Sequence, residues 1–544
     1  MMHLLILPLL GALVGVSHAA TPYVMDWSAQ SYGPDGPWQA VSIAIGSAQQ
    51  TVALYPGANY ASIILMDTLC TNKTLSSTCY AAQAGTFNQN ESTTAYTTTP
   101  SAWETVYWSV EGGAVEAVLG DEVTLGSATV PNVSFEAIYQ TYQTYPNGKA
   151  YPVSVGNLAV GAPYLSNEVS NTTTLNLLAG WLYSNDDIPS YSYGMHIGSV
   201  SPAVAGSMVL GGYDKSRVLG DVSAQTVDLN SASSGTLEIE LKDIGIGVAA
   251  GASPFSFTNE SGLFQQSSGS VLAKTVQIDP TKPYMYLPQS TCDAITASLP
   301  ISFNSSLGLY FWDTTSSDYL NITSSAAYLS FIFNKDGVNN QNFTIKVPFS
   351  LLNLTLQEPL VDQNTTYFPC FLSDSTPVFG RAFLQSAFVG VNWFNGNNTG
   401  TWFLGQAPGP DHAAADITTI TLSDSTISGS NYTWEESWAQ YWGVEGSNST
   451  SSHSGLSSGA KVGIGVGVGV GGAIVIAAGV WGAILLRRRR AGQAATDDGK
   501  TVYRGFAELP GGQHSEAAKE LDTKRHTQPQ EMMASAEVER YELD

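Results

Sequence analysis

From residue 21 to about 412 the chain repeats one pattern: short runs of Val, Ile, Thr, Tyr and Phe broken by Gly, Pro, Asn and Ser. VSIAIG (41–46) and TVALY (51–55) alternate apolar and other positions at the two-residue period of a half-buried strand. A short turn separates them, which predicts a hairpin. EVTLG, GSMVLGGYD, TLEIELKDIGIG, TVQID, FTIKVPF and FVGVNWF read the same way. Helical spacing is scarce, and STCDAITASL (290–299) is the best short candidate. So long a stretch exceeds one sandwich and predicts an all-β body of two lobes, 21–218 and 219–412.

Two apolar blocks stand outside this pattern. Residues 1–20 have an apolar centre and end in small residues, Ser17-His18-Ala19-Ala20, as a cleaved signal peptide does. Residues 462–486 carry no charge and are followed at once by Arg487 to Arg490. That length spans a bilayer, and the arginines place the following tail, 487–544, in the cytosol. The expected topology is a single transmembrane helix with the N-terminus extracellular or lumenal, in the plasma membrane or a secretory-pathway membrane.

Asn-X-Ser/Thr sequons agree with this topology. They occur at Asn72, Asn90, Asn132, Asn171, Asn259, Asn304, Asn321, Asn342, Asn353, Asn364, Asn397, Asn431 and Asn448, and none follows residue 460. The four cysteines, Cys70, Cys79, Cys292 and Cys370, lie on the same side. An even count in an oxidising compartment predicts two disulfides. Of three possible pairings, the near-neighbour one, Cys70–Cys79 and Cys292–Cys370, is expected. Neither CxxC nor paired-His spacing is present, so no metal and no cofactor is expected.

The net charge is −24, and all but one unit of it lies before residue 487. So acidic an exterior argues against nucleic acid as a partner. Residues 413–460 turn to Ser, Thr, Asn and Gly, as a glycosylated stalk does. YTWEESWAQYWGVEG (432–446) interrupts the stalk; it is expected to pack back on the lobes, the membrane surface being its alternative. Gly463, Gly467 and Gly471 recur at four-residue spacing in the span, which would permit self-association. The tail is polar and low in aromatics, hence expected to be disordered.

Two pairs of segments echo each other across the chain. VALYPGANYASIIL (52–65) and VQIDPTKPYMYLP (276–288) are each a strand, a tight turn and an apolar run. VGNLAVGAP (155–163) and PVFGRAFLQSAFVGVNW (377–393) each place apolar residues before a glycine. In this order the set resembles the pepsin-like aspartic peptidase family over about residues 22 to 410. That resemblance implies a bilobal double β-barrel. Each lobe would carry an Asp-Thr/Ser-Gly loop crossed below by an apolar-apolar-Gly segment. WSVEGGAVEAVLGDEVTLG (108–126) resembles the family's flap hairpin, with Val110 at the flap tyrosine position and Tyr107 or Trp108 as substitutes if the register slips. The cysteines fall where the family's disulfides are expected.

The resemblance implies a catalytic aspartate at two positions, and only Asp279 is retained; the other is Tyr55. The family's chemistry needs both, since two carboxylates sharing one proton supply base and acid together. The hydroxyl residue after each aspartate becomes Pro56 or Pro280, the second loop glycine becomes Thr281, and the next residues are Ala58 and Lys282. Lys282 is placed to pair with Asp279. The bland reading of Asp279 is a carboxylate capping its own turn. These departures imply a pseudopeptidase at the cell surface, its cleft binding an extended peptide or wall component; the architecture resembles that of fungal cell-surface proteins. The alternative is an active endopeptidase joining Asp279 to another acid, for which Asp67 and Asp121 are the nearest first-lobe candidates. A third reading is a structural glycoprotein with a closed cleft.

Overall fold

The computed structural model describes residues 20–443, apart from 72, 171, 228–234, 266–272, 337–340 and 395–399. The first hairpin pairs Trp38–Ile45 antiparallel with Gln50–Ala58, with Val41 opposite Leu54. Val41, Ile43 and Ile45 are buried, while Ser42 and Ala44 between them are only partly so. Each buried aliphatic side chain on such a face contributes roughly 1.5–3 kcal/mol.

A twelve-stranded sheet occupies the first half, and an eight-stranded and a four-stranded sheet occupy the second. A six-stranded sheet joins the halves. In it Ser192–His196 pairs antiparallel with Ala387–Asn392, and Leu219–Val227 pairs with Gly400–Gln406. The described body is therefore mostly β. Its helices are short, and Gln289–Thr296 forms where the sequence suggested one.

The echo between the halves is topological. In the first half Gly156–Ala159 runs parallel to Gln50–Ala58, and its Asn157 also meets Ile63 of the antiparallel strand Ser62–Leu65. In the second half Val378–Phe379 runs parallel to Lys274–Ile278 and antiparallel to Met285–Leu287. In each half a short strand after an apolar run thus passes between the two arms of a turn. That turn carries Tyr55 to Gly57 in one half and Asp279 to Thr281 in the other.

Disulfides join Cys70 to Cys79 and Cys292 to Cys370. The second ties the helix Gln289–Thr296 to the strand Cys370–Leu372. Residues 413–443, expected to begin the stalk, fold onto the body instead. Ile417–Thr419 pairs with Gly212–Asp214. The helix Trp434–Ala439 starts with a capping box between Thr433 and Glu436 and buries Trp434 and Trp438. Lys346 holds it from outside, pairing with Glu435 at 2.6 Å and lying over the Trp434 ring. Indole is large and apolar, so two tryptophans on one short helix contribute more by packing than by staying in water.

The signal segment up to residue 19, the rest of the stalk, the span at 462–486 and the tail lie outside the described residues, as do Asn72, Asn171, Asn397 and Asn448. Among the described residues no helix is long and apolar enough to cross a membrane.

Candidate functional site

The two turns meet face to face. Gly57 has φ +126°, and a Cβ there would lie 2.4 Å from the Pro280 Cβ. Only glycine allows both that backbone and that approach. The meeting point sets the Tyr55 and Asp279 turns against each other across the two halves.

Asp279 is turned onto its own loop. Its Oδ1 accepts from the Thr281 backbone N–H at 2.9 Å and from Thr281 Oγ1 at 2.6 Å. Its backbone N–H donates to Phe379 O, and its carbonyl accepts from the Lys282 N–H. This is the local capping that aspartate favours in turns.

Lys282 does not pair with Asp279, contrary to the expectation from sequence. Its Nζ reaches the other half and donates to the carbonyls of Tyr107 and, at 2.9 Å, Trp108. Burial lowers the Lys282 pKa, and the Asp279 charge works against that shift. Two carbonyls at hydrogen-bond range satisfy a poorly solvated ammonium, which explains the choice.

Tyr55 is buried, and its hydroxyl has no hydrogen-bond partner. The Arg381 guanidinium lies 4.0 Å from the centre of its ring and 5.2 Å from that of Trp38. Arg381 Nη1 donates to Thr281 O at 2.8 Å and Pro280 O at 3.3 Å. One side chain from the second half therefore braces its own loop and caps the aromatic ring at the first loop. Burial pushes the Tyr55 phenol far above its usual range, with Arg381 opposing.

A carboxylate not singled out from sequence completes this group. Asp35 is 7 % exposed, and its Oδ1 accepts from Trp38 Nε1 at 3.0 Å. Burial raises its pKa, while Arg381 and the Trp38 hydrogen bond pull it down. Its loop is held from the second half by Tyr367 Oη on Asp35 O, Gln357 N–H on Pro34 O and Thr355 N–H on Gly36 O. The sequence signal was faint: one acid in a Gly/Pro-rich loop, YGPDGP (32–37). Arg381 was more legible, as a charge inside the otherwise apolar PVFGRAFLQ.

The hairpin over the loops is fastened to the second half. Besides the Lys282 contacts, Tyr286 Oη donates to Ser109 O, and Tyr145 and Tyr284 hydroxyls share a 2.8 Å hydrogen bond. Trp108 is buried, with Nε1 on Thr141 Oγ1, whereas Tyr107 is 68 % exposed. Three spaces result. A cavity of about 740 Å³ lies between Tyr107, Val110, Tyr142 and Tyr145 of the hairpin and Lys282, Tyr286, Phe371 and Leu372. A space of about 40 Å³, with Trp108, Asp35, Tyr55 and Arg381 on its walls, has room for about one water. A third, of about 300 Å³, is lined by Asp279 and, from the other half, Glu136.

Asp67 and Asp121 line none of the three. Asp121 is fully buried, with Oδ1 accepting from Thr94 Oγ1 and the Glu122 N–H. Asp67 opens a short turn, Asp67–Cys70. Glu136 is the acid that shares a cavity with Asp279. Burial, and then the Glu116 charge, push its pKa up to about 7. It sits mid-strand in NVSFEAIYQ, where nothing but a charge within an apolar run marks it.

Comparison with known proteins follows the same geometry. The family model "Eukaryotic aspartyl protease" matches residues 40–400, well over half of the chain. Rhizopuspepsin-2 and rhizopuspepsin-5 of Rhizopus niveus are each 26% identical over 222 residues, 40% of this chain and 51% of theirs. The match thus spans about half the length of these curated relatives. Among solved structures, the aspartic proteinase from Irpex lacteus aligns with a TM-score of 0.45 at 14% identity, over 71% of this chain and 98% of its own. The family match covers both turns, the hairpin above them and the segments that cross below, and on it this chain belongs to the eukaryotic aspartyl protease family.

Proposed function

We propose that this chain is a non-hydrolytic member of its family, held at a membrane by the span at 462–486, that uses its interlobe cleft to bind an extended peptide or a wall-polymer segment outside the cell. One observation carries this reading. At the position opposite the retained acid stands Tyr55, capped by Arg381, and Asp279 spends one oxygen on its own turn. Hydrolysis by this family's chemistry needs a carboxylate to activate water while a second donates a proton. A phenol raised by burial cannot act as that base at acid pH. The large cavity beside the hairpin, with aromatic walls and few polar groups, has the size and character of a ligand site.

A second reading has one observation in its favour. Glu136 lines the same cavity as Asp279, and its raised pKa suits a general acid. In that case the chain would be an endopeptidase with an unusual pair.

The test is cleavage of a mixed peptide library by the purified protein at pH 3 to 6, beside Asp279→Asn and Glu136→Gln and with pepstatin. No turnover from folded protein, with peptide retained on it, is the expected result. Turnover that disappears in either variant would replace the first reading with the second.

A further inference from the structure

The cavity at Asp279 has a composition unlike the rest of the cleft. Glu136 comes from the strand Ala128–Thr144 and Asp279 from the opposite half, and no Lys, Arg or His lines the space between them. The remaining polar walls are Asn59, Gln277, Thr236, Thr281 and Tyr193. Glu136 makes no ion pair and no side-chain hydrogen bond with any described residue, and Asp279 commits only Oδ1, to Thr281. Tyr193 gives an independent sign. It is 2 % exposed, its side chain lines the same space, and its hydroxyl has no hydrogen-bond partner among the described residues. That hydroxyl is available to a group that enters the cavity.

Behind Glu136 the negative field continues. Glu116 lies on the neighbouring hairpin strand, close enough that its charge raises the Glu136 pKa, and Glu104 acts likewise on Glu116. Lys282 feels the Asp279 charge but spends its ammonium on the Tyr107 and Trp108 carbonyls, so the space has two carboxylates and no cation on its own walls. The large cavity, by contrast, carries a charge of each sign, Glu111 and Lys282, on its wall.

We infer that the cavity formed by Glu136, Asp279 and Tyr193 is a seat for an organic cation, the ammonium or guanidinium of a Lys or Arg side chain on the bound peptide. The peptide part of this statement rests on the proposed groove; the cation part does not. A volume of about 300 Å³ admits such a side chain. Glu136 from one half and Asp279 from the other both line the space the charge would fill, with Tyr193 on the same wall. Gln277 and Asn59 supply neutral polar contacts. The carboxylates facing the cation are Glu136 and Asp279, with Glu116 and then Glu104 behind; on the far side of the Asp279 turn stand Lys282 and Arg381, both committed to backbone carbonyls. Binding therefore strengthens as Glu136 ionises, and it releases a proton where Glu136 is still protonated.

The experiment titrates the full chain in detergent with butylguanidinium, butylamine and, as the neutral isostere, butanol, by calorimetry at pH 5 and pH 8. Both cations are expected to bind, about tenfold more tightly at pH 8, and butanol not at all. Glu136→Gln is expected to weaken cation binding at least tenfold. Ile63→Lys, which puts an ammonium on the cavity wall, is expected to remove it. Thermal unfolding of both variants checks that they are folded. A second arm compares pentapeptides bearing Lys, acetyl-lysine or norleucine. Absence of cation binding, or equal binding of butanol, overturns the inference. Peptides bound without regard to charge also overturn it while leaving the groove standing. Cations bound without any peptide uphold the cavity and remove the peptide groove.

Discussion

The Arg381 guanidinium lies 4.0 Å from the centre of the Tyr55 ring, across the seam between the two halves of the molecule. Arg381 also donates to the carbonyls of Pro280 and Thr281 and lies near the buried Asp35. The place where this family's chemistry would bring two carboxylates together is thus occupied by a cation on an aromatic face. Such a contact contributes from about 0.5 to 2 kcal/mol, the upper end when desolvated.

Arg381→Ala removes the stack and both hydrogen bonds, and leaves Asp35 buried without its counter-charge. A loss of about 2–4 kcal/mol is expected in denaturant unfolding. Arg381→Lys keeps the charge but cannot stack or fork in the same way, so it should recover only part of the loss. Equal stability of wild type and Arg381→Ala would show that the brace is idle.

Tyr55→Phe removes a hydroxyl that has no partner. Stability within about 1 kcal/mol of wild type is expected, since the ring and its contact with Arg381 remain. A loss well above that would mean that the hydroxyl is hydrogen bonded in solution. The contrast with Arg381→Ala separates packing at this point from polar bonding.

Glu136 gives a pH dependence with a definite sign. Its folded pKa is raised to about 7, while the unfolded value is near 4.3. Between these values the folded state holds a proton that the unfolded state has lost. Stability should therefore fall as pH rises from about 4.3 to 7, by at most about 3–4 kcal/mol, and level off above. Glu136→Gln should flatten that part of the profile. An unchanged slope in the variant would assign the effect to other carboxylates.

Lys282→Met removes the ammonium that holds Tyr107 O and Trp108 O. Amide exchange in residues 107–110 is expected to speed up, with exchange in the six-stranded sheet unchanged. If exchange at 107–110 does not change, Tyr286 and Tyr145 hold the hairpin without it.

The sequons divide by exposure. Asn90, Asn132, Asn259, Asn321, Asn342, Asn364 and Asn431 are exposed. Asn353 is half-buried, and its Nδ2, the atom a glycan would take, donates to Tyr319 Oη at 2.9 Å. Glycopeptide mass spectrometry of protein from a secretory host should find glycan on most of the exposed set and none on Asn353.

What the sequence by itself determined is local. The two-residue alternation in VSIAIG and TVALY defines which face of each strand is apolar, and the strands pair as that face requires. Tyr55 at the position of an acid, and two prolines where hydroxyls are expected, were likewise legible residue by residue. Nearest-neighbour pairing of the cysteines needed little more than their spacing.

What only the tertiary structure decided is which groups answer one another across the chain. Lys282 could have turned to Asp279, three residues away, yet it bonds carbonyls some 175 positions distant. Asp35 and Arg381 come from opposite ends of the body and meet at Tyr55. Glu136 reads as one charge in a strand until the second half sets Asp279 on the same cavity. The tryptophans of 434–442 could have faced a membrane or the lobes, and packing placed them on the lobes. The reason is physical. Alternation specifies a face within a strand, but a buried polar group goes where burial leaves a partner, and that depends on which strands the fold has brought alongside.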